Sequence, residues 1–289
     1  PSPWDVIASE LKQHDQVLCI VSDRKSCREL YHLMPQGTYH LSALMCGRHR
    51  SAIIETIKAK LARQEPVRVI STQLVEAGVD MDFPVVYRAM AGLDSIAQAA
   101  GRCNREGRLP EPGRVVVFNP PRKPPIGLLR KATDTTRGIF AMKPADILDY
   151  DLYTQYFKEL YGKANSLDSK DIIPLLKPDK GELIIAFRTA AERFRMIDDS
   201  MQKPIVVRWD GSSDLIERLR HEGPSRMMMR KLQRYTVNIY NHDFNVMLQR
   251  GSLEEVHPHI FALTSEIEYS KDFGLIIEPI LYDPEEMIL

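Results

Sequence analysis

Two rhythms of apolar residues alternate along the first 120 positions. Short unbroken runs (Val17-Leu-Cys-Ile-Val21, Val67-Arg-Val-Ile-Ser-Thr72, Pro84-Val-Val-Tyr-Arg88 and Gly113-Arg-Val-Val-Val-Phe118) read as strands buried on both faces, with Tyr39–Leu41 a shorter fifth. Helical spacing fills the gaps. Ser22 and Asp23 can cap a helix running to about Met34. His49–Arg63 places Ile53, Ile54, Ile57 and Leu61 on one stripe, and Leu93–Arg105 forms another helix. Such alternation predicts an α/β lobe, a parallel sheet with right-handed crossovers flanked by helices.

The pattern breaks at Asn119-Pro-Pro-Arg-Lys-Pro-Pro125, where four prolines in seven residues can continue neither a strand nor a helix. Helical stretches follow at 127–140 and 149–161. From about Asp168 the chain mixes short strands (183–187, 204–209, 235–240, 260–263) with short helices (213–221, 225–233), as a small α+β domain would. The expected division is a lobe over 1–120, a proline-marked linker with helices over 121–166, and an accessory C-terminal domain over 167–289.

Composition changes this picture little. The 289 residues are 44% hydrophobic and 27% charged with a formal net charge of zero, as in ordinary globular proteins. Neutrality does not exclude nucleic acid, which is bound by local patches. Cys19, Cys27, Cys46 and Cys103 form no Cys-x-x-Cys pair, so reduced thiols are expected. With no long apolar run and no signal peptide at the start, the reading is cytoplasmic, with no membrane partner. The first residues, Pro1-Ser2-Pro3-Trp4, lack a Met, which suggests a piece of something longer.

Chemistry concentrates in Gln98-Ala-Ala-Gly-Arg102-Cys-Asn-Arg105-Glu-Gly-Arg108. On a helix, at about 100° per residue, Gln98, Arg102 and Arg105 fall within about 60° of one another, beside the small surface of Ala99, Ala100 and Gly101. Two guanidiniums on a rigid stripe suit phosphate oxygens; a solvated charged face is the plainer alternative. A second stretch is Ile70-Ser-Thr-Gln-Leu-Val-Glu-Ala-Gly-Val-Asp-Met-Asp-Phe-Pro84. There a strand ends at Thr72, the edge where parallel sheets bind ligands. Thr72 can bond a backbone phosphate, Gly78 permits a tight turn, and Asp80 offers an acceptor for a ribose hydroxyl; an ordinary turn capped by Asp80 is the alternative.

The order strand-Ser-Thr, Glu-x-Gly-x-Asp, Gln-x-x-Gly-Arg-x-x-Arg resembles the second motor lobe of superfamily-two helicases. Ser71 to Pro84 followed by Ala91 to Arg108 looks like the signature helicase-nuclease of type I CRISPR interference. Phe187-Arg-Thr-Ala-Ala-Glu-Arg-Phe-Arg195 and Leu232-Gln-Arg-Tyr-Thr-Val-Asn238 are similar to its C-terminal region in subtype I-C. The resemblance implies a RecA-like lobe with ATP and Mg²⁺ sandwiched against a first lobe. On that basis Arg102 and Arg105 reach the γ-phosphate, Gln98 orients near it, Gly78 and Asp80 sit by the nucleotide, and Thr72 contacts single-stranded DNA. It further implies an RNA-guided surveillance complex as recruiting partner.

No Gly-x-x-x-x-Gly-Lys-Ser/Thr loop and no Asp-Glu-x-x box occurs in these 289 residues. The first helicase lobe and an HD-type nuclease domain with its metal ions are therefore expected elsewhere in a parent chain, and the fragment alone is expected to be inactive, its arginines solvent-facing. His14-Asp15, His242-Asp243 and His257-Pro-His259 are read as chance pairs, with no metal site here. In related helicases a basic residue near such a helix start touches the nucleic-acid backbone, so Arg48 and Arg50, near the start of the His49–Arg63 helix, are candidate phosphate contacts; a solvated loop is the alternative. Residues 218–234 hold six cations in seventeen positions, among them Arg226 and Arg230, and could line a single-strand path. Met227–Met229 and Leu232 alternatively form the core face of one helix under a polar surface. A non-catalytic DNA-binding or complex-docking module, or part of another superfamily-two translocase, is the competing reading.

Overall fold

The computed structural model describes the chain except residues 108, 110, 145, 148, 165, 179–184, 195–200 and 279–289. Five strands, β1 (Gln16–Ile20), β2 (Tyr39–Leu41), β3 (Val67–Ser71), β4 (Val85–Ala89) and β5 (Arg114–Phe118), coincide with the five apolar runs. They form one sheet in the order β2-β3-β1-β4-β5, every pair parallel. Its two faces are buried by alternate residues of the same strands. Val17, Cys19 and Tyr87 pack with Ile7, Leu11 and Leu30 of helices α1 (Trp4–Lys12) and α2 (Arg24–His32). Leu18, Ile20, Val69 and Val86 pack with Ile57 of α3 (Gly47–Ala62) and Ala99 of α4 (Leu93–Ala100). Burial on both sides explains why these strands read as continuous apolar runs. Asp23 caps α2 as predicted, its carboxylate accepting from the Ser26 backbone N–H at 2.8 Å.

The linker supplies α5 (Leu128–Ala141) and α6 (Tyr150–Gly162), which pack on Leu93 at the start of α4. Tyr156 donates a 2.8 Å hydrogen bond to Asp94, and a side chain at Gly92 would fall on both groups. The short helices α7 (Ile172–Leu175) and α8 (Phe187–Arg193) follow. Of the expected 183–187 strand, 183 and 184 lie outside the described residues, Ile185 and Ala186 are in no strand, and Phe187 opens α8 instead.

The C-terminal region is α+β, as expected. Strands β6 (Gln202–Val206), β7 (Thr236–Tyr240), β8 (Leu253–His257) and β9 (Ile260–Leu263) form a sheet ordered β7-β6-β9-β8, mixed because β6 and β9 run parallel. Helices α9 (Ser212–Glu222) and α10 (Arg226–Leu232) cover one face, and α11 (Asn241–Gln249) the other. In α10, Met228 and Leu232 are core whereas Met227 and Met229 are exposed, so only one of the three methionines faces inward. The hairpin β10 (Tyr269–Ser270) with β11 (Gly274–Leu275) closes over the lobe.

That closure joins the two regions tightly. Leu44 and Cys46, in the turn between β2 and α3, belong to the core of the C-terminal domain. The Leu275 N–H donates to the Leu44 carbonyl at 2.8 Å, and the Cys46 N–H donates to the Tyr269 hydroxyl at 2.9 Å. His49 stacks on Trp209 at 4.3 Å. Gly274 is required here: its φ is +76°, and a Cβ would strike the Leu44 carbonyl.

Candidate nucleotide edge and nucleic-acid cleft

The helix carrying the arginines ends earlier than predicted. α4 stops at Ala100 with Gly101 as its C-cap, so Arg102 and Arg105 do not continue the helical face of Gln98. The physical reason lies across the loop. The Phe83 N–H donates to the Arg102 carbonyl and the Asn104 N–H to the Phe83 carbonyl, both at 2.9 Å, so Cys103 forms a strand-like bridge with Phe83. Phe83 is fully buried in the sheet core, and that anchor outweighs helix propagation.

Arg102 and Arg105 are held by the very loop that precedes them. Arg102 donates from Nε to the Val75 carbonyl at 2.9 Å and from Nη2 to the Glu76 carbonyl at 2.7 Å, and is half-buried. Arg105 pairs with Asp80 at 2.6 Å, and its backbone N–H donates to the Asp82 carboxylate at 2.7 Å. Gln98 and Asp80 are exposed. Gly78 adopts φ +71°, the turn that brings Asp80 round. Asp80 also lines a side cavity of about 300 Å³ with Lys58, Gln64 and Glu106. Burial and the neighbouring Arg105 charge both pull the Arg102 pKa down, and Asp80 opposes them. Arg102, Arg105 and Asp80 thus form one electrostatic group: Arg105 is exposed, as the sequence suggested, whereas Arg102 is half-buried, and both guanidiniums have internal partners.

A residue pair that sequence reading missed lies beneath this loop. Arg88, at the end of β4, is wholly buried and pairs through Nε with the Glu76 carboxylate at 2.8 Å. Ser95 of α4 donates to the other Glu76 oxygen at 3.2 Å. Arg88 Nη1 donates to the Ala89 carbonyl at 2.9 Å and approaches the Ile20 carbonyl and the Ser22 hydroxyl at 3.4 Å. Burial raises the Glu76 carboxyl pKa while the Arg88 charge opposes it. An arginine inside an apolar strand was the available signal, since a buried guanidinium demands a carboxylate.

The second site is a cleft of about 1380 Å³ between the carboxyl ends of β1 and β3 and the C-terminal domain. Thr72, Arg50, Arg226 and Arg230 all line it, together with Arg24, Gln73, Asn238 and Tyr240. Arg226 and Arg230 are exposed, and neither they nor Arg50 forms an ion pair with a described residue. Arg48 points elsewhere: it pairs with Asp210 of the C-terminal domain at 3.0 Å and does not line the cleft. It lies two positions before Arg50 on α3, about 200° round the helix, so the two side chains leave on opposite faces. Arg218 and Arg220, in the same basic segment, are neutralised by Glu222 and Glu254. Among the described residues no three His, Cys, Asp or Glu side chains converge as a metal site. No helix of the described residues is long and apolar enough to cross a membrane.

A family model described as CRISPR-associated nuclease/helicase Cas3, C-terminal, matches residues 13–108, which hold β1 to β4 and both arginines. The Haloferax volcanii CRISPR-associated nuclease/helicase Cas3 is 42% identical over 92 residues, covering 29% of this chain and 10% of that protein. Residues 13–108 are thus similar to the C-terminal part of Cas3. The Cas3 fold extends further. The crystal structure of T. fusca Cas3 with ATP aligns with TM-score 0.57 at 17% identity, covering 90% of this chain and 37% of that one. A chain of a CRISPR RNA-guided surveillance complex in its pre-nicking state aligns with TM-score 0.56 at 16% identity, covering 89% and 38%. The chain thus spans little more than a third of the Cas3 structures it matches, and the α/β lobe and its C-terminal domain share their fold.

Proposed function

We propose that this Cas3 lobe works as the second half of an ATP-driven motor that moves single-stranded DNA through the cleft. Gln98, Arg102 and Arg105, with Gly78 and Asp80, form one wall of the nucleotide site; a first lobe of the parent chain supplies the phosphate loop and the Mg²⁺ ligands. A nuclease domain of HD type in that parent, recruitment by an RNA-guided surveillance complex, a subtype I-C setting and a cytoplasmic location complete the reading. The observation that carries it is the convergence of Thr72, Arg50, Arg226 and Arg230 on one cleft beside the arginine loop. Cations without internal partners suit a phosphate backbone, and Thr72 adds a neutral donor at the strand end. Arg48 drops out of the proposed path because Asp210 holds it.

The arginine wall fits a triphosphate in charge but is occupied internally. For Arg105 to take a γ-phosphate it must exchange Asp80, a swap that the closer, more highly charged ligand favours. Mixing the chain with its separately produced first lobe tests the proposal. DNA-stimulated ATP hydrolysis should appear in the mixture and not in either part. Arg102→Ala should abolish it; hydrolysis at an undiminished rate in that variant would sink the assignment.

A further inference from the structure

The Arg88–Glu76 pair is the one buried ion pair seen among the described residues of a sheet whose core is mostly apolar. Burying two charges gains little stability over a hydrophobic pair of the same size. Its retention calls for a reason beyond packing, and the geometry supplies one. Glu76 faces two ways: its carboxylate is held by Arg88 from below and by Ser95 from α4, while its backbone carbonyl receives Arg102 Nη2 at 2.7 Å. The adjoining Val75 carbonyl receives Arg102 Nε at 2.9 Å, and Val75 itself is fully buried. Arg88 in turn is fastened to β4 through the Ala89 carbonyl and lies within 3.4 Å of the Ile20 carbonyl at the end of β1. One side chain therefore ties the two central strand ends to the turn that aims the arginine.

We propose that Arg88 and Glu76 are positioning residues for Arg102, fixing the Val75–Glu76 carbonyls so that its guanidinium is set before nucleotide arrives. This rests on the reading of Arg102 as a nucleotide-site residue, but its structural half can be tested without catalysis. Without the pair, the turn after β3 keeps its apolar anchor at Val75 and loses the one that orients the Glu76 peptide. Arg102 would then sample several rotamers, and alignment of the arginine would have to be completed during each turnover.

The experiment compares Arg88→Met/Glu76→Leu, which leaves neither charge unpaired, with Ser95→Ala, which removes only the bond from α4. In the isolated chain, exchange of the Arg102 Nε–H with solvent is followed by NMR. The double variant should speed that exchange about tenfold while thermal unfolding stays cooperative, and Ser95→Ala should speed it about threefold. Exchange as slow as in the parent protein, in a folded double variant, overturns the proposal. If the double variant does not fold, Ser95→Ala decides in the same two directions. With the first lobe added, both variants should lower kcat for ATP hydrolysis and leave KM for ATP near its original value, because only the alignment reached in the transition state is lost. Arg102→Ala runs alongside. If that variant hydrolyses ATP normally the nucleotide-site reading fails; if it is dead while the double variant keeps full kcat, only the positioning role fails.

Discussion

The arginines of this molecule fall into two populations. At the proposed nucleotide edge, Arg102 and Arg105 both have internal partners, one backbone carbonyls and the other Asp80. In the cleft, Arg50, Arg226 and Arg230 have no ion partner among the described residues. The difference fits the two ligands proposed. A group that must meet one reacting phosphoryl in one geometry benefits from being fixed beforehand. A groove along which a strand slides needs charge without commitment, since each backbone phosphate is equivalent to the next. The same protein therefore spends buried polar contacts on one set and none on the other.

The largest expected effect tests the fixed set. In the chain recombined with its first lobe, Arg102→Ala should reduce ATP hydrolysis by about 10³-fold or more, the usual scale for an arginine on a transferring phosphoryl group. Binding of single-stranded DNA without nucleotide should hardly change in that variant. Loss of both would mean the two populations are not separate.

Next come two tests of the joint on which the cleft depends. His40 is buried among Tyr31, His32, Arg28 and Phe273 at the junction of lobe and C-terminal hairpin, near Asp272. Desolvation, reinforced by Arg28, pushes its pKa from 6.5 down to about 4. The unfolded chain binds this proton at higher pH than the folded one. Stability is therefore complete above the unfolded value of 6.5 and is lost as the pH falls toward 4. The loss is on the order of 3 kcal/mol. Burial shifts His49 the same way, which steepens the slope. His40→Leu should flatten the curve in this window, as read by denaturant unfolding at several pH values; an unchanged slope refutes the assignment. Gly274→Ala should cost about 2 kcal/mol from its positive φ alone and more from the Leu44 carbonyl. It should also loosen the Trp209–His49 stack, visible as a change in tryptophan emission.

The smallest effects concern the uncommitted set. Neutralising Arg226 and Arg230 together should lower the salt slope of single-strand binding by about 1.4, at roughly 0.7 per phosphate released. Stability should be unaltered, since neither side chain has a partner among the described residues. Arg48→Ala, in contrast, should leave the slope where it was, because Asp210 already occupies that charge. A slope that falls equally in both would remove the distinction between paired and unpaired cations.

Legibility followed the range of the interactions. All five strands of the lobe were visible because each is a short apolar run, and β5, only half-buried at the sheet edge, coincided within one residue of its expected start. The helices α9 and α10 likewise agreed within a residue or two. The strands β8, β10 and β11 and helix α11 were not anticipated, since they are short and carry polar residues such as Glu254, Glu255 and His257 on their outer positions. Arg226 and Arg230 were found from local charge density, whereas Arg48 and Arg50 looked alike until the partner of one came from residue 210.

The chain's own residues determined the lobe type, the parallel sheet and the arginine-bearing segment, because apolar runs, caps and spacing act over a few positions. Tertiary structure decided where α4 ends, which cations stay unpaired, and that an arginine in β4 answers a glutamate twelve residues earlier. Each of these depends on a partner brought near only by folding: Phe83 for Cys103, Asp210 for Arg48 and Glu76 for Arg88. A buried charge or an unsatisfied backbone group takes its partner from whatever the fold places beside it, and sequence distance carries no information about that.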